Sequence, residues 1–176
     1  TQARVAANQL LSDARKTQSM QMRRNADRID TALRLVREDG RIEKEKQSQL
    51  ITNLAEQRRV NREISDLLEA SETADTDRQR DIGRLITEHR DNLGGLKRSN
   101  AKLLKGKKGE TAPLAATMRA IAAIARQQPY DEGARDRAQR AVERLESLSG
   151  ELEEAAGMRQ EQPRVFLSPA EPAPYR

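Results

Sequence analysis

The chain has 176 residues, of which 35% are hydrophobic, 35% charged and 2% aromatic, a supply of apolar side chains too thin for a compact globular core of this length. Its 33 Lys and Arg stand against 28 Asp and Glu, a net charge of +5, and the two signs are mostly interleaved as on the solvated faces of helices. No cysteine is present, which removes any disulfide framework and thiol chemistry; no apolar run is long enough to span a bilayer.

Catalytic signals are absent as well. His89 is the single histidine, so neither a Ser/His/Asp set nor a zinc-ligand spacing can be assembled. The expectation is an all-α protein that is not an enzyme and carries no cofactor or metal.

From the N-terminus, Val5, Leu10 and Leu11 open a helical pattern without proline. From Met22 to Leu103 one heptad seam runs in steps of three and four. Its apolar clusters are Ile29, Leu33 and Val36; Leu50 and Leu54; Ile64 and Leu68; Ile82 and Leu85; then Leu96 and Leu103. Polar layers at Gln57, Asn61 and His89 interrupt it, and buried polar layers weaken a coil while fixing its register.

Two punctuation marks fall inside this stretch. Asp39-Gly40 is a possible helix end, since glycine tolerates the left-handed backbone of a helix terminus. Ser71 to Asp77 is rich in capping residues, and Thr76 with Gln79 has the form of a capping box. Residues 1–105 are therefore read as one long coiled-coil helical region, or alternatively as a helical hairpin or bundle with turns near Gly40 and residues 72–76. Unbroken heptad phase across both marks favours the single helix, about 120 Å long over the seam.

On that reading the seam residues Ile29, Leu33, Val36, Leu50, Leu54, Asn61, Ile64, Leu68, Ile82, Leu85, Leu96 and Leu103 bury against other copies of the chain. Asn61 at an a position points toward two strands, whereas apolar flanks at Ile51, Val60, Leu67, Ile86 and Leu93 widen the stripe and point to three or more strands or to docking against another protein.

Beyond Leu103, residues 106–112 (Gly106-Lys107-Lys108-Gly109 and following) read as a polar hinge. They lack the GxxxxGK[ST] spacing of a phosphate loop. Lys97, Arg98, Lys102, Lys105, Lys107 and Lys108 occur with no acid among them, an anion-binding candidate, although no aromatic interleaves them as on single-strand-binding surfaces.

Residues 113–157 read as a C-terminal helical pair, the first helix Ala-rich and ending before Pro129. The second carries a stripe of Ala134, Ala138, Ala141, Leu145, Leu148, Leu152 and Ala155. Residues 158–176 form an extended proline-rich tail, whose Val165, Phe166, Leu167 and Tyr175 are candidates for docking on a neighbour, since aromatics anchor protein contacts.

By composition, an aromatic-poor helical chain with such a tail is of the kind found in phage virions and secretion assemblies. The expected role is a non-enzymatic structural protein that oligomerises and bridges components of such an assembly, with itself and other proteins as partners. The alternative is an adaptor that binds nucleic acid or an anionic surface through residues 97–108.

Overall fold

The computed structural model describes residues 2–128 and 130–161; the tail candidates Val165, Phe166, Leu167 and Tyr175 lie outside the described residues. The described part is all-helical, with α1 (Gln2–Glu38), α2 (Lys44–Ser71), α3 (Thr76–Leu104), α4 (Ala115–Ala125) and α5 (Glu132–Glu161). It divides into two compact units, Asp13–Gly133 and residues 2–12 with 134–161.

The favoured single helix over residues 1–105 is interrupted twice, and the chain takes the bundle alternative. Contacts between α1 and α2 fix their sense. Ser19 meets Ser65, Asp30 meets Arg58, and Val36 meets Gln47. Positions rise along one helix as they fall along the other, so the pair is antiparallel. By the same logic Gln57 with Asn100 and Glu63 with His89 make α3 antiparallel to α2.

Each break is held by side chains that replace the missing helical bonds. The Gln47 amide donates to the Val36 and Arg37 carbonyls at the end of α1, at 2.8 and 3.1 Å. Ile42 is buried in the turn and joins the core with Val36 and Leu50. Gly40 has no positive φ; among the described glycines that conformation belongs to Gly109, at 95°. At the second break Asp75, rather than Thr76, is the N-cap, accepting from Arg78 N–H at 2.8 Å, while Gln79 reaches back to the Ser71 carbonyl at 3.0 Å.

Heptad phase misled because turns of the right length leave the residue count intact. A continuous register is compatible with a fold-back whose loops happen to span the same number of positions. Short loops also close at little entropic cost, whereas recruiting a second chain to cover the same seam carries the cost of association.

The 13–133 unit holds two apolar cores in series. One gathers Ile29, Leu33, Val36, Leu50, Leu54, Ile121 and Ile124. The other gathers Met22, Val60, Ile64, Leu68, Ile82, Ile86, Leu93 and Tyr130. Helix α4 and the segment after it supply the fourth side of the bundle. Leu114 N–H meets Asp39, Gln127 meets Asn25, and Asp131 meets Gln18, so this strand of chain runs antiparallel to α1.

In the smaller unit Ala7 of α1 and Val142 of α5 are the buried positions among the described residues.

Candidate functional site

Between the two cores of the larger unit lies a polar layer to which every side of the bundle contributes. On α2 and α3 the Asn100 amide donates to Gln57 Oε1 at 2.9 Å in the buried interior. Asn53 donates to Asn100 Oδ1 at 2.9 Å, and the Asn61 amide donates to the Gln57 carbonyl at 2.9 Å. On α1, buried Asn25 donates to the Gln128 carbonyl at 2.9 Å and accepts at its own carbonyl from the Gln127 amide at 3.0 Å. Lys97 Nζ donates to the Gln127 carbonyl at 3.1 Å.

The layer sits where α4 ends, and that explains its chemistry. A terminating helix leaves carbonyls without intrahelical partners, and residues 127 and 128 present theirs to Asn25 and Lys97. A cation is also favourable at a helix C-terminus. Burial pushes the Lys97 ammonium pKa down. The residue therefore belongs to the bundle interior as much as to the basic cluster in which the sequence places it.

A carboxylate holds the opposite end of α4. Asp39, 1% exposed, accepts from Leu114 N–H at 2.8 Å and from Arg41 N–H at 2.9 Å. Burial, the largest single influence, pushes its carboxyl up, but the Leu114 and Arg41 backbone donors, the Thr117 hydroxyl and the Arg41 charge together hold the pKa below the usual carboxylate value. Leu114 is the N-cap residue of α4 and makes no side-chain cap of its own, so Asp39 caps this helix from the α1–α2 turn.

Of the predicted seam, Ile29, Leu33, Val36, Leu50, Leu54, Asn61, Ile64, Leu68 and Ile82 are buried within one chain. Leu96 and Leu103 are half-buried. Leu85 is 44% exposed, and Ile86 and Leu93 face inward instead. The inward stripe of α3 is thus turned toward the predicted flank, continuing to Asn100. His89 is half-buried, with Nε2 3.4 Å from Glu63 Oε2; Glu63 in turn pairs with Arg59, which also binds Glu56.

Arg98, Lys102, Lys105, Lys107 and Lys108 are exposed. Beside them, a cleft of about 570 Å³ at the end of the bundle is lined by Arg41, Lys46, Leu104, Lys107, Glu110 and Met118 among others. Its charges are partly spent on each other, since Lys46 pairs with Glu110 at 2.7 Å and Glu110 also accepts from Lys107 N–H at 3.0 Å. No cluster of three or more metal-ligating side chains occurs among the described residues, and no helix there is long and apolar enough to cross a membrane.

Helix α5 presents a different surface. Among its described side chains Val142 is buried, while Leu145, Leu148 and Leu152 are 36%, 48% and 70% exposed. Val5 and Leu10 of the same unit are exposed too. The leucines of the stripe that the sequence offers for packing are left exposed, while its Ala138 and Ala155 are half-buried. Comparisons with protein-family models, curated proteins and solved structures give no match.

Proposed function

We propose that the chain is a non-enzymatic structural protein that joins components of a larger assembly, and that its docking surface is the leucine face of α5. The observation that supports this is the contrast between the two units. In the larger one most of the seam is buried in the chain's own two cores, and the exposed apolar side chains Met20, Leu85, Leu114 and Met118 do not form a stripe at heptad spacing. In the smaller one, three leucines at heptad spacing stay in water, a face that binding another protein stabilises by about 1.5–3 kcal/mol for each leucine fully buried. Structural proteins of virions and secretion assemblies are the class to which the composition points.

The test is a photo-crosslinking side chain placed at Leu148 or Leu152 in cells expressing the protein, with Asp77 of α3 as the control position. Adducts of defined mass from the α5 positions and none from Asp77 support the reading. No adduct from either leucine position contradicts it.

A second reading is favoured by the exposure of Arg98, Lys102, Lys105, Lys107 and Lys108, which suits an anionic surface or nucleic acid. Changing Lys102, Lys105, Lys107 and Lys108 to Gln together is then expected to abolish retention on a polyanion such as heparin at low salt, with steep salt dependence in the parent chain. Lys97→Met, acting at an interior position, is expected to leave retention unchanged. Retention that survives the fourfold change removes this reading.

A further inference from the structure

The leucine face of α5 carries enough pattern to specify its occupant. Placed on a heptad, Leu145 and Leu152 take a positions and Leu148 a d position, flanked by Ala138, Ala141 and Ala155 in phase. The g positions beside this seam are Arg144 and Glu151, whereas the e positions are Val142, Ser149 and Ala156. Charge is also polarised along the helix: residues 135–144 hold four Arg against two acids, and residues 145–154 hold four Glu and no base.

We infer that α5 pairs with α5 of a second copy of this chain, antiparallel, an inference that rests on the docking role proposed for this face. In an antiparallel pair each a layer faces a d layer and g positions face g positions. Setting Leu145 against Leu148 of the second copy centres the contact between the basic and acidic halves. The same register sets Leu152 against Ala141 and brings Arg144 beside Glu151 of the second copy, twice by symmetry. Each basic half then lies along the acidic half of the other helix.

A parallel pair loses all of this. Arg144 then lies beside Ser149, Glu151 lies beside Ala156, and like charge runs level with like. Opposite-charge complementarity sets orientation in such helix pairs, and like-charge juxtaposition disfavours the alternative. Arg144 and Glu151 are two turns apart on their own helix, beyond the reach of an intrachain i,i+4 pair, so they do not satisfy each other within one helix. The two-fold arrangement is also the commonest closed symmetry for a self-complementary patch.

Sedimentation velocity of the full chain over a rising concentration series tests this. The parent chain is expected to form a concentration-dependent dimer, and Leu148→Asp, at an exposed position, is expected to stay monomeric at every concentration with unchanged helicity by circular dichroism. Arg144→Glu is expected to weaken the dimer at least tenfold by setting Glu against Glu151, and Glu151→Arg to do the same by setting Arg against Arg144. The double swap Arg144→Glu with Glu151→Arg is expected to recover most of the lost affinity. A parent chain that is monomeric throughout overturns the second copy as occupant, as does a double swap no better than the worse single change. Either result leaves the docking role to its own crosslinking test, where adducts with a different protein identify the occupant instead.

Discussion

The Gln18 side-chain amide holds the Asp131 peptide group from both sides, donating from Nε2 to the Asp131 carbonyl and accepting the Asp131 N–H at Oε1, each at 3.0 Å. Residues 127–131 follow the end of α4, and side chains of α1 and α3 supply the bonds that a helix would have made internally. Tyr130, buried in the second core, is thereby held in place.

Gln18→Ala removes both bonds, each with a net value of about 0.5–1.5 kcal/mol. Hydrogen exchange at the Asp131 amide is expected to accelerate by roughly tenfold, while amides in the middle of α2 keep their rates. Unchanged exchange at Asp131 contradicts the clamp.

The Gln57–Asn100 pair predicts non-additive energetics. Asn100→Leu leaves Gln57 Oε1 buried without its donor, a loss of about 1–3 kcal/mol, and Gln57→Leu orphans the Asn100 amide in the same way. Combining the two changes is expected to cost clearly less than their sum, since two facing apolar groups need no partner. Urea unfolding of the parent, both single variants and the double variant measures this. Strict additivity means that the two side chains do not share a bond.

These two contacts also mark what the sequence did and did not disclose. The apolar positions of α1 and α2 are readable because each helix buries one stripe, and Ile29 through Leu68 occupy it. Both turns announce themselves through Gly40 and the capping residues around Asp75. The choice of bundle over rod is not local, because seam phase survives a tight turn. On α3 the seam slips from Leu85 to Ile86 because the helix packs against both α2 and α4, which turns its inward face. Ile86, Leu93 and Asn100 keep a seven-residue phase of their own from Ile86 onward, and that phase is the signal for Asn100. The roles of Gln18, Asn25 and Lys97 have no such signal, since each bonds to a backbone group brought near only by the fold.

Asp39 predicts an acid-sensitive joint between α1 and α4. Its folded pKa lies below the ordinary 3.8, so the folded state binds its proton less readily than the unfolded chain does. The stability it contributes is complete above that ordinary value and is lost as pH falls through the lower folded pKa. Asp39→Ala orphans the N–H groups of Leu114 and Arg41, and at pH 7 it is expected to cost about 1–3 kcal/mol. The gap between parent and variant is expected to narrow as pH drops below the ordinary carboxylate range. Chemical denaturation at several pH values measures it, and a gap that widens in acid contradicts the assignment.

The central claim is that the leucine seam is covered within one chain, and the most direct measurement of it exploits the absence of native cysteine. The hydroxyls of Ser19 and Ser65 are 2.7 Å apart in the buried contact of α1 with α2, a separation that lets cysteines at those positions bond. Oxidation of the Ser19→Cys/Ser65→Cys double variant, followed by non-reducing electrophoresis and mass measurement of the dissolved band, is expected to give an intrachain disulfide in a chain of monomer mass. In one continuous helix those positions lie about 70 Å apart. Chains linked only to one another, or thiols that stay free, contradict the bundle.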